Sequence, residues 1–153
     1  MDEFLAWLTA QLDNDERAAR AAAETFGGAA EWQFDRLTDD DFGTDYFLHV
    51  GDRTILGAVR PGEENAGPFV VSELEHIARH DPARALRRIG AARRAIQLHQ
   101  PGRDRPDGVE YCLECGPSWR GNELVVYPCE TLRLAAVEFD DRQGYRGGWQ
   151  PEP

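Results

Sequence analysis

Three cysteines stand in the last third of this 153-residue chain, Cys112 and Cys115 as a C-x-x-C pair and Cys129 alone. That pattern limits the fold more than any other feature. Two intervening residues let both sulfurs face one tetrahedral ion while backbone amides point at the thiolates, and Gly116 permits the tight turn such a knuckle uses. Cys129 falls where a helix is expected to begin, and the helix dipole favours a thiolate there. His99, at the expected end of the preceding helix, is the natural fourth ligand. It stands 13 positions before Cys112, and Cys129 stands 14 after Cys115. His99, Cys112, Cys115 and Cys129 thus form a candidate structural zinc site, one ion per chain. Four protein ligands leave no position for water, which directs the site to folding and not to catalysis. A thioredoxin-like redox pair, unliganded thiols and a different fourth ligand are the alternatives. The redox pair lacks a strand-to-helix context, and Gly116-Pro117 blocks an immediate helix.

A staple suits the composition. The length is that of one ordinary domain, yet Val, Ile, Leu and Phe together number only 32, close to the roughly 20% below which chains stay disordered. A thin core gains most from a metal where the chain is most irregular. Charge narrows the function. Twenty-eight carboxylates face 17 cations, all of them Arg, for a net charge of −11. This argues against a general nucleic-acid or anionic-membrane binder and for a basic protein partner. No stretch reaches the roughly 20 apolar residues of a membrane span, and an acidic start at Asp2-Glu3 is not a signal peptide. The expected compartment is the reducing cytoplasm, where cysteines act as thiols or metal ligands.

Periodicity predicts an α+β fold in a single domain (1–153), helix-rich, with a small antiparallel sheet and a zinc-knuckle-like loop. The N-terminal helix covers 1–26, with Phe4, Leu5, Leu8 and Leu12 at helical spacing and Gly27-Gly28 as its stop. A β region covers 30–60, with a hairpin of 46–50 and 54–59 around Gly51-Asp52 and a third strand from Trp32 and Phe34. Asp39-Asp40-Asp41 falls in a loop, and Pro61 to Pro68 is a connector. A helical pair covers 69–99, with Asp81 as N-cap and Pro82 at the first position of the second helix. The knuckle loop and a short C-terminal helix from Cys129 fill 100–139.

Other chemistry is sparse. Glu73, His76 and His80 share one helix face, where a carboxylate and two imidazoles could hold a divalent metal as in a metal-dependent hydrolase. The zincin signature fails, because Ile77 stands where Glu is required; the bland reading is a dipole-favoured helix end. His49 reads as an ordinary strand residue. The stretch 69–100 carries a net +3 through Arg79, Arg84, Arg87, Arg88, Arg93 and Arg94. It is either an Arg-rich face for nucleic acid on helix 82–99 or, in so acidic a chain, internal compensation. Either Trp119 and Arg120 form part of a contact surface near the zinc loop or, the favoured reading, Trp119 packs over the knuckle. Nucleophile elbows, P-loops and dinucleotide fingerprints are missing, and with no Lys, lysine chemistry is excluded.

Several stretches together resemble a family of small actinobacterial and actinophage proteins of unknown function. They are Asp2-Glu3-Phe4-Leu5 with Asp13-Asn14-Asp15-Glu16, His76-Ile77-Ala78-Arg79-His80-Asp81-Pro82-Ala83-Arg84, and Arg93-Arg94-Ala95-Ile96-Gln97-Leu98-His99. The C-x-x-C pair, Tyr127-Pro128-Cys129-Glu130-Thr131-Leu132-Arg133 and the tail through Tyr145 and Trp149 complete the set. The resemblance covers most of the chain, implies an actinobacterial or phage source, and assigns no activity. A cytoplasmic interaction protein, phage- or mobile-element-associated, is the reading that charge and resemblance jointly suggest.

Overall fold

A computed structural model describes residues 3–39, 43–56, 71–116 and 124–151. The acidic residues Asp40-Asp41, the strand end 57–59, the connector Pro61–Pro68 and the residues Phe69 and Val70 lie outside them. So do Pro117, Ser118, Trp119 and Arg120. The fold is α+β. Helices α1 (Glu3–Thr25), α2 (Val71–Arg79), α3 (Pro82–Leu98) and α4 (Glu130–Val137) accompany strands β1 (Trp32–Asp39), β2 (Gly43–Val50) and β3 (Arg53–Leu56). The two-residue strands β4 (Pro101–Gly102) and β5 (Tyr111–Cys112) pair antiparallel. Among the described residues no helix is long and apolar enough to cross a membrane.

The chain forms two compact units. The first comprises Met1–Asn14 and Ile89–Pro153. Its core takes Phe4, Leu8 and Leu12 from one stripe of α1, Ile89 from α3, and Leu132 and Ala136 from α4, with Cys112, Tyr127, Cys129 and Phe139. The i, i+4, i+8 spacing on α1 places its apolar side chains on one face, as the sequence pattern requires. The tail folds back onto that helix. Trp7 donates its indole N–H to the Gln143 carbonyl at 3.0 Å. Its ring lies 5.1 Å from Trp149 and 5.5 Å from Tyr145, while Phe4 meets Trp149 edge-on at 5.3 Å. Gly144 makes the approach possible at φ +90°, where a Cβ would crowd the Trp7 ring at 3.0 Å. A 3-10 turn at Gly147–Trp149 completes the wrap.

The second unit, Asp15–Arg88, holds an antiparallel sheet in the order β1-β2-β3. Gly51 at φ +56° opens the two-residue turn between Val50 and Arg53, at the first turn position that hairpin turns reserve for positive φ. Leu48 and Val50 are buried, and Phe34 stacks on Tyr46 at 5.7 Å. All four lie on one face by strand alternation. Helix α1 ends as its glycines predict. Gly27, at φ +71°, donates to Glu24 and Gly28 donates to Ala23, which satisfies the last carbonyls in a Schellman arrangement.

Asp81 ties this unit together. Its carboxylate accepts the Arg84 amide at 2.6 Å as the N-cap of α3, and the Trp32 amide at 3.3 Å at the start of β1. The Ala83 amide bonds the Ala30 carbonyl alongside at 3.0 Å. Asp81 is buried, so its removal strips two amides at once. Asp81→Ala is expected to cost about 2–3 kcal/mol in denaturant unfolding, about 1 for the cap and the rest for the Trp32 amide. Asp81→Asn, which keeps one acceptor oxygen, is expected to lose less.

Candidate metal centre

Three segments of the first unit converge on one point. Helix α3 ends at Leu98, and the His99 amide still bonds the Ala95 carbonyl at 2.9 Å, so the imidazole is carried on helical backbone. Next, β4 and β5 set the knuckle. Leu113 donates to Gln100 and Cys112 to Val125, each at 2.9 Å, which locks the first cysteine between two extended segments. The loop joining the two strands is pinned by an Arg103–Glu110 ion pair and by the Tyr111 hydroxyl on Asp104 at 2.7 Å. It also carries an Arg105–Asp107 pair that holds the Asp107 carboxyl down to about 2. Gly102 lies directly against the Tyr111 ring, where any Cβ would clash.

The knuckle itself is a turn of the expected kind. The Cys115 amide points at the Cys112 sulfur at 3.5 Å, and Gly116 donates to the Cys112 carbonyl at 2.9 Å. Gly116 sits at φ +46°, which residues with a Cβ rarely adopt. The third thiol comes from the N-cap of α4. Cys129 is extended (φ −69°, ψ 167°), and its carbonyl accepts from Leu132 and Arg133 as the helix starts.

The His99 Nδ1 atom lies 3.3 Å from the Cys112 sulfur, 3.4 Å from Cys115 and 3.5 Å from Cys129. All four ligating atoms fall within 4.8 Å of one another. Zinc bond lengths of about 2.3 Å to sulfur and about 2.0–2.1 Å to nitrogen, at tetrahedral angles, imply N···S edges of about 3.6 Å and S···S edges of about 3.8 Å. The observed spacing fits a four-coordinate ion with small adjustments. All three cysteines are free, with Cys112 and Cys129 buried and Cys115 half-buried. Burial, together with the neighbouring Cys112 and Cys129 thiols, pushes the Cys115 thiol up to about 12. A divalent ion held by the four ligands would supply the positive charge that favours thiolates.

The sequence pattern matches a protein family over residues 1–151: DUF6221, a family of unknown function. The chain belongs to that family. No curated protein and no solved structure matches the chain. The DUF6221 assignment agrees with the resemblance carried by the HIARHDPAR stretch, the C-x-x-C pair and the Cys129 segment, and it brings no activity with it.

The other constellations fare differently. Among the described residues of this DUF6221 chain, the Cys/His cluster is the one group of three or more potential ligands gathered within reach of a single ion. Glu73, His76 and His80 are not gathered in that way. His76 and His80 stack with ring centroids 4.1 Å apart, and His80 Nδ1 bonds the His76 carbonyl at 2.8 Å. The arginines pair largely within the chain, as compensation predicts. Arg79 meets Glu75 at 3.6 Å, Arg87 meets Glu31 at 3.9 Å, Arg93 pairs with Asp13, and Arg84 caps the Arg79 carbonyl. His49 has more company than its sequence context suggested. Thr54 Oγ1 lies 3.2 Å from its Nδ1 and an Asp35 oxygen 3.7 Å from its Nε2, beside a cleft of about 510 Å³ that Leu37 and Phe47 also line. These residues share one sheet face through cross-strand register, which a strand-by-strand reading cannot reveal.

Proposed function

We propose that the chain is a small acidic protein-interaction module held by one structural zinc ion at His99, Cys112, Cys115 and Cys129, and that its partner is a basic protein. The observation that carries the zinc reading is the convergence of one imidazole nitrogen and three sulfurs on a single point beside the core. When bound, the ion would neutralise the thiolates and cross-link α3, the knuckle and α4. His99 would orient its Nδ1 from the end of α3, and the Cys115 amide would hold the Cys112 thiolate by its N–H. Four protein ligands occupy every tetrahedral position, so the site favours a structural role over hydrolysis.

The partner reading rests on surface chemistry. A net charge of −11 attracts cationic surfaces and repels nucleic acid. Arg79, Arg87 and Arg93 are engaged with the chain's own carboxylates, which favours internal compensation over a phosphate-binding face. Leu113 in the knuckle turn and Val126, bridged to Tyr111, are more than half exposed, and Leu98 beside His99 is exposed as well. These side chains give a charged partner an apolar contact to settle on. The reading extends to a reducing cytoplasm, which keeps three thiols available, and to the actinobacterial or phage setting that the resemblance implies.

Elemental analysis of protein never exposed to chelator is expected to return about one zinc per chain. Capture from an actinobacterial lysate is expected to yield a basic protein that salt elutes. A metal-free preparation that unfolds normally would overturn the zinc reading. A captured nucleic acid, removed by nuclease and weakened by Arg87→Glu with Arg88→Glu, would overturn the partner reading.

A further inference from the structure

Helix α2 carries two imidazoles that the Cys/His centre does not use. Its inward side is anchored by the fully buried Leu74, while His76 and His80 are exposed. Side chains on a helix lean toward its N-terminus, so His80 leans back over His76 one turn earlier. The result is the 4.1 Å ring stack, with planes inclined by 29°.

Helix geometry also explains why Glu73 does not join them. Seven residues of rise separate Glu73 from His80 by about 10.5 Å along the axis. The lean toward the N-terminus is shared by both side chains, so it does not shorten that offset. The chemistry of this face is therefore that of an i, i+4 imidazole pair and not that of a carboxylate triad.

A hydrogen bond sets the nitrogen available on His80. Its Nδ1 lies 2.8 Å from the His76 carbonyl oxygen, which can only accept. Nδ1 therefore carries the proton, and in the neutral ring the Nε2 lone pair is left for a ligand. A carbonyl gripping the far nitrogen is how metal-bound histidines are held in tautomer and orientation. Among the described residues, the nearby arginines are engaged elsewhere, Arg79 with Glu75 at 3.6 Å and Arg84 with the Arg79 carbonyl at 3.1 Å. On the other side Ser72, Glu73 and Ile77 border a depression of about 320 Å³ with His76, which leaves room for water on a bound ion.

We propose that His76 and His80 form a second metal site, separate from the Cys/His centre, that takes a borderline divalent transition cation such as Zn²⁺, Ni²⁺ or Cu²⁺ through two imidazoles. Two neutral nitrogen ligands suit these ions and not Mg²⁺ or Ca²⁺, which require oxygen donors. The ion keeps at least two positions open to water or to a donor from another molecule.

The test titrates Ni²⁺ into protein whose zinc content has been measured, following heat and the amide spectrum together. One additional Ni²⁺ per chain is expected, with paramagnetic broadening centred on residues 72–84 and no release of the resident zinc. His76→Ala and His80→Ala are each expected to weaken binding about tenfold or more, at least the loss seen when only a supporting partner of a ligand is removed. Glu73→Gln is expected to bind as wild type does, and Mg²⁺ is expected to produce no broadening or heat of binding. Both histidines are exposed, and an amide spectrum of the variants that matches wild type outside residues 72–84 reports that the second unit is intact. Unaltered Ni²⁺ affinity in the doubly substituted chain, or no Ni²⁺ uptake by wild type, would overturn the proposal. Loss of binding in Glu73→Gln would overturn its two-imidazole form. Ni²⁺ held by the Cys/His centre instead would survive the double substitution and show thiolate charge-transfer bands, which also counts against it.

Discussion

Cys129→Ser is expected to abolish binding of the proposed zinc ion and to leave the first unit without a stable fold. Cys129 is 2% exposed and packs within the core cluster at the start of α4. Serine there offers a hard, poorly ionised oxygen in place of a thiolate, and zinc holds it weakly. The magnitudes decide the outcome. Structural zinc contributes on the order of 10–16 kcal/mol of apparent binding free energy to small domains, whereas a whole domain is stable by about 5–15 kcal/mol. A chain with only 32 Val, Ile, Leu and Phe residues has little to set against that loss. The measurement is zinc content together with near-ultraviolet circular dichroism. Trp7, Tyr145 and Trp149 report the packing of this unit directly, so their signal is expected to collapse as the zinc is lost. A Cys129→Ser chain with wild-type dichroism and an unchanged unfolding midpoint would contradict the staple.

Leu132→Ala is the second large effect. Leu132 is fully buried on α4, three positions after the cysteine that opens the helix. Truncating a buried leucine costs about 2–5 kcal/mol through lost transfer energy and the cavity left behind. The variant's midpoint should depend on metal, because an ion that binds only the folded chain stabilises it by mass action, by about 2.7 kcal/mol at a free concentration 100 times its Kd. Excess zinc is therefore expected to raise the unfolding midpoint of Leu132→Ala, and a chelator to lower it. Leu134, on the same helix, is 57% exposed. Leu134→Ala is expected to stay within about 0.5 kcal/mol of wild type. Equal losses at the two positions would mean that α4 does not pack as described.

Features that depend on local chemistry were legible in the amino-acid order. The Asp81-Pro82 start of α3, the Gly27-Gly28 end of α1 and the Gly51-Asp52 hairpin each depend on a few adjacent residues, and each stands where those residues indicate. The C-x-x-C turn is local for the same reason. The convergence of His99 with Cys129 follows from the two helix ends, and it holds because Ile89 of α3 and Leu132 of α4 are anchored in the same core. Non-local packing was not legible. The bond from Trp7 to Gln143 spans 136 residues, and periodicity does not show that the tail returns to the first helix. The strands β4 and β5 have two residues each, too few to show alternation. The Glu73/His76/His80 face shows the opposite failure. Helical spacing puts all three residues on one side, but rise along the axis separates the carboxylate from the imidazole at the far end.

Zinc K-edge X-ray absorption on protein purified without chelator tests the metal centre most directly. A first shell of three sulfurs at about 2.3 Å and one nitrogen at about 2.0–2.1 Å is the result expected for His99, Cys112, Cys115 and Cys129. Protein without zinc, or zinc surrounded only by nitrogen and oxygen, would contradict it.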